Sequence, residues 1–361
     1  MASFLDERES KKTFEDRLRK LSTKTKQSII STNNSFDSFC KSYYRKQTTE
    51  ILAELKLFKG EDLIEKTRNV LQNWIDWQYD NNNLSSTIKH RVSGIKRLLR
   101  HNGIKVHFED FDEPLEYKPD VSEELHELTR EEIQRIFTVA KPQKIGYYLA
   151  LISTGARPSE LLRVRKKDID VTGKRFKIRL EAENTKTRST RSVWLTNESS
   201  KYLTIRLRGL KDNDLVWTKN ENTGNAENNE GIIFSRYVDK VGLGQRYASN
   251  KFRMITLYSI RSFFFGRAAD VHREGYAHRM TGHGGYLPQY DRMSDEKKLD
   301  WFLELEPELL ISNQERDKMK IESLEAEKTE LEKKNEELLD YKRKLDELWA
   351  DKERMETRSH I

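Results

Sequence analysis

The sequence predicts a mainly α-helical protein with one small β-hairpin, an α+β chain. It reads as a helical domain, a larger mixed domain and a C-terminal coiled-coil helix. Three patterns predict it. Apolar residues recur every three or four positions through most of the 361 residues. Strict alternation occurs at one place only, around residues 176–195. Leucines then recur every seven residues near the end.

The elements follow in order. Residues 1–28 are highly charged and lack the apolar core of a signal peptide, so secretion is not expected. Residues 29–108 read as a small helical, DNA-binding domain. In "LSSTIKHRVSGIKRLLRHNG", Ile88, Val92, Ile95 and Leu99 make one apolar stripe. Ser85 or Ser86 is the expected N-cap and Gly103 the expected stop. Lys89, Arg91, Lys96, Arg97 and Arg100 fill the other faces, as expected of a helix that meets polyanions. An amphipathic helix is also expected around "VLQNWIDWQYD". Residues 109–127 are acidic, contain Pro114 and Pro119, and read as a linker.

The larger domain is expected over residues 128–311. It opens with Thr129 and Glu132, spaced as a capping box in which each side chain satisfies a free N–H at the helix start. "KRFKIRL" alternates Phe176, Ile178 and Leu180, and "TRSVWL" supplies its partner strand. The polar run 219–230, "KNENTGNAENNE", reads as a loop. Residues 312–361 form the tail. Leu324, Leu331, Leu338 and Leu345 hold one heptad position, and Ile321, Lys328, Asn335, Lys342 and Trp349 hold its partner position. Self-association as a coiled coil is expected, and a single solvated helix laced with ion pairs is the alternative.

Charge and cysteine content narrow the function. The chain has 67 Lys and Arg against 60 Asp and Glu, a net of +7. The last 49 residues carry 12 basic and 15 acidic side chains, so the body alone is at +10. A basic body favours a polyanionic partner. Cys40 is the one cysteine, which excludes an intramolecular disulfide and a structural zinc site of cysteines. No run of about 18 apolar residues suggests a membrane span. A cytoplasmic location is the expectation, with no cofactor and no metal.

Four short motifs carry chemistry. In "STGARPSELLRV", Arg157 enters a helix with Pro158 at its first position, and Glu160 is placed to brace it. Alone, such a pair at a helix start is usually a surface ion pair. "NTKTRSTRSVWL" puts Lys186 at the edge of the hairpin, where a lysine is ordinarily solvated. "LYSIRSFFFGRAAD" puts Tyr258 and Arg261 on one helix face beside Phe263–Phe265. An arginine there must be paired or hold an anion, because burying it bare is costly. "GHGGYLPQY" adds His283, Tyr286 and Tyr290 in a glycine-rich loop.

The order and spacing of these motifs resemble the tyrosine recombinase (phage integrase) family. The likeness runs through the larger domain, and the helical domain before it resembles that family's core-binding domain. The "GHGGYLPQYDRMSD…EPELLI" ending looks most like integrases of archaeal viruses and integrated elements. The resemblance implies that Arg157 and Arg261 bind phosphate, that Lys186 is the hairpin general acid and that His283 is a hydrogen-bond donor. Tyr258 stands where the family has His or Lys, a departure, since neutral tyrosine is a poorer base. Tyr290, seven residues after His283, matches the nucleophile. Tyr286 follows His283 by only three residues, too near to swing over a phosphate.

The implied function is site-specific cutting and rejoining of double-stranded DNA through a 3′-phosphotyrosyl link. It integrates or excises a mobile element or viral genome, as a homotetramer on DNA. Two alternatives are a DNA-binding structural protein with a decayed site and a relaxing enzyme of the type IB topoisomerase class.

Overall fold

The computed structural model describes residues 18–121, 123–283 and 293–358. The chain divides into two compact units, residues 1–123 and 124–361.

The first unit is helical. α1 (Thr23–Phe39) continues into a π-helical turn, and α2 (Thr48–Leu55), α3 (Gly60–Asp80) and α4 (Ser85–His101) complete it. Its core joins Phe36 and Phe39 of α1, Leu71, Trp74 and Ile75 of α3, and the α4 stripe Ile88, Val92, Ile95 and Leu99. Each of these stripe residues is fully buried, contributing about 1.5–3 kcal/mol of transfer free energy. The start of α4 differs from expectation. Leu84 occupies the N-cap without a side-chain bond. Ser85 instead accepts from Tyr79 Oη (3.1 Å) and donates to the Lys118 carbonyl (3.2 Å).

That second bond belongs to a larger departure. The acidic stretch read as a linker lies along the first unit as far as about Asp120. Phe111 is buried in its core, and Leu115 and Tyr117 pack against it. Gln72 accepts the Glu116 N–H (2.9 Å), and Tyr79 Oη accepts the Lys118 N–H (3.0 Å). By His126 the chain is already part of the second unit, where its N–H donates to Tyr247 Oη (2.7 Å).

The second unit begins with α5 (Arg130–Val139). Its capping box is formed, with the Glu132 N–H on Thr129 Oγ1 and the Thr129 N–H on Glu132 Oε2. α6 (Pro142–Thr154) is buried along most of its length, Tyr147 to Thr154, as the central helix of the core. It ends at Gly155, whose φ is +57°. A Cβ there would also sit 2.2 Å from the Phe264 ring, so glycine is required by conformation and by space. α7 (Pro158–Leu162) follows at once.

A three-stranded antiparallel sheet comes next: β1 (Ile169–Asp170), β2 (Lys177–Leu180) and β3 (Arg191–Trp194), in that order. Ile178 pairs with Val193 and Leu180 with Arg191. The alternation seen in the sequence buries Ile178 and Leu180. α8 (Asn197–Leu207) packs on α6.

The run 219–230 is not a loop throughout. α9 spans Thr223–Lys240, capped by the Asn222 side chain accepting from the Asn225 N–H (3.2 Å). Its buried face is Ala226, Glu227, Glu230, Phe234, Tyr237 and Val238, at helical spacing. Two of these six are carboxylates, so the stripe looked polar.

α10 (Leu257–Thr281) is long and kinked at Arg273, whose φ is +68°. It packs on α6 and on α11 (Asp295–Leu309). α12 (Asn313–Arg358) is one continuous helix of 46 residues. Its heptad leucines 324, 331, 338 and 345 are 54–65% exposed, consistent with either a paired or a solvated helix. Its root is tied to the body: Glu198 accepts the N–H groups of Ile311 (2.9 Å) and Ser312 (3.1 Å), and Lys201 pairs with Glu315. Among the described residues, no helix is long and apolar enough to cross a membrane.

Candidate active site

Two arginines from distant parts of the second unit share one carboxylate, and a third is held beside them by a backbone carbonyl. Gly155 reverses the chain after α6, and Pro158 starts α7, which leaves Arg157 as the N-cap residue between them. The Arg157 N–H donates to Glu160 Oε2 and its Nη1 to Glu160 Oε1, both at 2.9 Å. Arg191 of β3 reaches the same carboxylate, Nη2 to Oε2 at 2.6 Å, and its Nε donates to the Met280 carbonyl at 3.0 Å. Arg261 of α10 donates Nη1 to the Gly155 carbonyl at 2.6 Å. The Gly155 turn, α7, β3 and α10 are thus laced together by guanidinium groups.

The balance of charge is positive. Glu160 is 1% exposed. Burial pushes its carboxyl up, but Arg191 and the hydrogen bonds from Arg191 and Arg157 outweigh that and hold it below the usual range. Three guanidiniums face this one anion. Arg261 feels it: burial, then Arg157, bring its guanidinium down to about 10, still charged at neutral pH. Among the described residues, Arg261 Nη2 and Arg191 Nη1 are buried and make no hydrogen bond within the protein. Buried donors without acceptors are costly, and these guanidinium groups can pair with an anion that offers several oxygens.

Tyr258 lies one helical turn before Arg261 and is half-exposed. Its hydroxyl donates to Glu227 Oε1 of α9 at 2.8 Å. Burial, then that hydrogen bond, raise the phenol to about 12. His283 is exposed just past α10, with its Nδ1 3.1 Å from His278 Nδ1. Burial, then Arg261, lower its imidazole below the ordinary histidine value, which favours the neutral ring.

Arg157, Glu160, Arg261, Tyr258 and His283 therefore share one electrostatic neighbourhood. Lys186 is placed differently. It is exposed in the turn between β2 and β3 and forms no ion pair with a described residue. The buried Thr185 beside it pins the turn through the Ala182 and Ser189 carbonyls, both at 3.1 Å. Arg163, at the end of α7, donates to the Asn184 carbonyl (2.9 Å) and ties the turn to the arginine cluster. Tyr286 and Tyr290 lie outside the described residues. Arg191 and Glu227 were not singled out in the sequence. The register Leu180–Arg191 put Arg191 on the strand, but only the fold brings it to Glu160.

Residues 126–259 match the phage integrase family. The matched stretch contains Arg157, Glu160, Lys186, Arg191, Glu227 and Tyr258, and Arg261 and His283 follow beyond it. Solved integrases are similar in structure over most of their length. A lambda integrase dimer bound to a COC′ core site is 13% identical, with 80% of this chain and 94% of that chain covered and a TM-score of 0.49. A lambda integrase tetramer bound to a Holliday junction is 13% identical, with 78% of each chain covered and a TM-score of 0.49. The Tn1549 transposon integrase in complex with a circular intermediate DNA is 14% identical, with 74% and 98% covered and a TM-score of 0.49. Among curated protein sequences, none matches the chain.

The basic helix of the first unit is a separate candidate surface. Lys89 pairs with Asp120 at 2.5 Å, Arg91 donates to Gln78 and Asn83 (both 3.1 Å), and Lys96 lies 4.0 Å over the Phe108 ring. Arg97 and Arg100 are exposed and make no ion pair with a described residue.

Proposed function

We propose that the protein is a site-specific DNA recombinase, an integrase that cuts and rejoins double-stranded DNA through a 3′-phosphotyrosyl intermediate. The observation that carries this reading is the cluster of Arg157, Arg191 and Arg261 around one buried carboxylate. A phosphodiester is anionic and repels nucleophiles, and attack builds more charge on its oxygens. Fixed guanidiniums and a neutral His283 N–H hold that charge by position. Tyr290 attacks phosphorus, the bond to the 5′ oxygen breaks, and Lys186 protonates that oxygen. The covalent link keeps the phosphodiester energy, so a 5′-hydroxyl from another duplex reseals it without ATP. The narrower placement among integrases of archaeal viruses rests on the ending "GHGGYLPQYDRMSD" alone.

The test is an SDS-resistant protein–DNA adduct on a pool of nicked duplexes with randomised cores. The nick lets the leaving strand diffuse away and traps the intermediate. An adduct is expected. DNA binding with no adduct from any duplex would leave only a binding protein.

Two further outcomes are expected. Arg97→Gln with Arg100→Gln lowers the slope of log affinity against log salt by about 1.8, since each lost phosphate contact removes about 0.9. Neutralising Lys89, Arg91 and Lys96 changes it less, because those side chains are already engaged within the first unit. An unchanged slope in the Arg97/Arg100 variant places the DNA elsewhere.

The tail serves assembly in this reading, with the working complex a tetramer on DNA. A chain ending at Lys320 keeps the Glu198 and Glu315 anchors and forms the adduct at the full-length rate. At limiting protein it recombines two full sites less well, because losing a pairing helix lowers effective concentration. Leu331→Pro with Leu338→Pro reproduces that loss, since proline breaks the helix without removing charge. Equal recombination by all three chains removes the tail from assembly.

A further inference from the structure

The departure at Tyr258 comes with a compensating partner. Glu227 is buried, at 8% exposure, on the same helix face as Ala226, Phe234 and Val238. A buried carboxylate is costly unless something uses it. Its neighbour one turn on, Glu230, is balanced by Lys144. Glu227 accepts a hydrogen bond from a phenol, Tyr258 Oη–H, at 2.8 Å. α9 packs on α7, which carries Arg157 at its start, and on α10, which carries Tyr258 and Arg261. The bond therefore brings a carboxylate from outside the motif to within one hydroxyl of the arginine cluster.

We propose that Glu227 and Tyr258 form a two-membered proton relay, in which Tyr258 takes the proton of the attacking hydroxyl and hands its own to Glu227. The inference rests on the recombinase reading above. As the new oxygen–phosphorus bond forms and the 5′ oxygen departs, the attacking hydroxyl's proton moves to Tyr258 Oη. The Tyr258 proton moves along its existing hydrogen bond to Glu227 Oε1. Tyr258 is neutral before and after, and Glu227 goes from carboxylate to acid. Resealing runs the transfers backwards and restores the carboxylate. The direction of the bond suits this. With its hydrogen committed to Glu227, the Tyr258 oxygen keeps lone pairs for a donor on its other side.

The phenol on its own is no base at neutral pH, because burial and Glu227 raise it to about 12. Passing a proton on removes that obstacle. Glu227 is a positioning residue, acting through Tyr258 and touching no reacting atom itself.

The experiment measures single-turnover adduct formation on nicked DNA at saturating protein, with DNA affinity measured separately. Glu227→Gln and Tyr258→Phe are each expected to slow the adduct by about 10²-fold, the low end of what acid–base groups supply. Affinity stays unchanged. The double variant is no slower than either single one, because both remove the same relay. Tyr258→His accepts a proton directly, so adding Glu227→Gln to it changes the rate by less than about twofold.

Three results overturn the relay: a wild-type rate in Glu227→Gln, multiplying losses in the double variant, or an equal Glu227→Gln loss in the Tyr258→His background. The last would mean that Glu227 only supports the fold. A wild-type chain that forms no adduct overturns the recombinase reading and the relay with it. A wild-type adduct with an indifferent Glu227 overturns the relay alone.

Discussion

Tyr290→Phe is expected to abolish the covalent adduct while leaving DNA affinity intact. The substitution removes one oxygen and keeps the ring, so nothing but the nucleophile is lost. Removing a nucleophile that forms a covalent intermediate costs on the order of 10⁴-fold or more, because no neighbouring group replaces it. Tyr286→Phe is the matched control and should form adducts at the full rate. The assignment rests on spacing from His283, which follows the C-cap Gly282 of α10 and sits within the field of Arg261 and Arg157. The resemblance places the nucleophile at the longer of the two intervals, seven residues after His283 rather than three. Denaturing gels on trapped duplexes decide it. If adducts persist in Tyr290→Phe and vanish in Tyr286→Phe, the loop has been read the wrong way round.

Much of the fold was legible because local patterns and tertiary packing agree. The α4 stripe, the Thr129–Glu132 capping box and the Ile178/Leu180 alternation all do in the structure what their periods require. Failures came where a side chain's partner is far away in sequence. α9 was hidden because two positions of its buried face are Glu227 and Glu230, and their partners, Tyr258 and Lys144, lie 31 and 86 residues off. Arg191 looked like any arginine on a strand until its Nε met the Met280 carbonyl, 89 residues on. The stretch after residue 108 looked like a linker from its acids and prolines. Its Phe111, Leu115 and Tyr117 signal packing only once a neighbouring surface exists to receive them. The candidate site was legible as a list of residue types in order. Its electrostatics were not, since one carboxylate serving two arginines is a property of the fold.

That carboxylate is the second place where a large effect is expected. Glu160→Ala leaves Arg157 and Arg191 facing one another, with Arg261 adding to the charge and no anion between them. Removing one partner of a buried, hydrogen-bonded ion pair costs about 3–5 kcal/mol. At about 2–4 °C per kcal/mol for a unit of this size, the melting temperature falls by roughly 10 °C. Glu160→Gln keeps the volume but loses the charge, so it should lie between the two. The pH dependence gives the sign. The Glu160 carboxyl is held below its ordinary value of 4.5 in the folded chain. Its stabilisation is therefore complete above about 4.5 and fades as pH falls through the lower folded value. The gap between wild type and Glu160→Gln should be widest at neutral pH and close in acid, as protonation makes the wild-type side chain neutral too. Added DNA should narrow the gap at neutral pH, because a phosphate supplies the missing negative charge to the same guanidiniums. Calorimetric melting across pH reads all three trends. Equal melting of Glu160→Gln and wild type at neutral pH would mean that the arginines are held by their carbonyl partners, Met280 and Gly155, and that Glu160 does not organise the site.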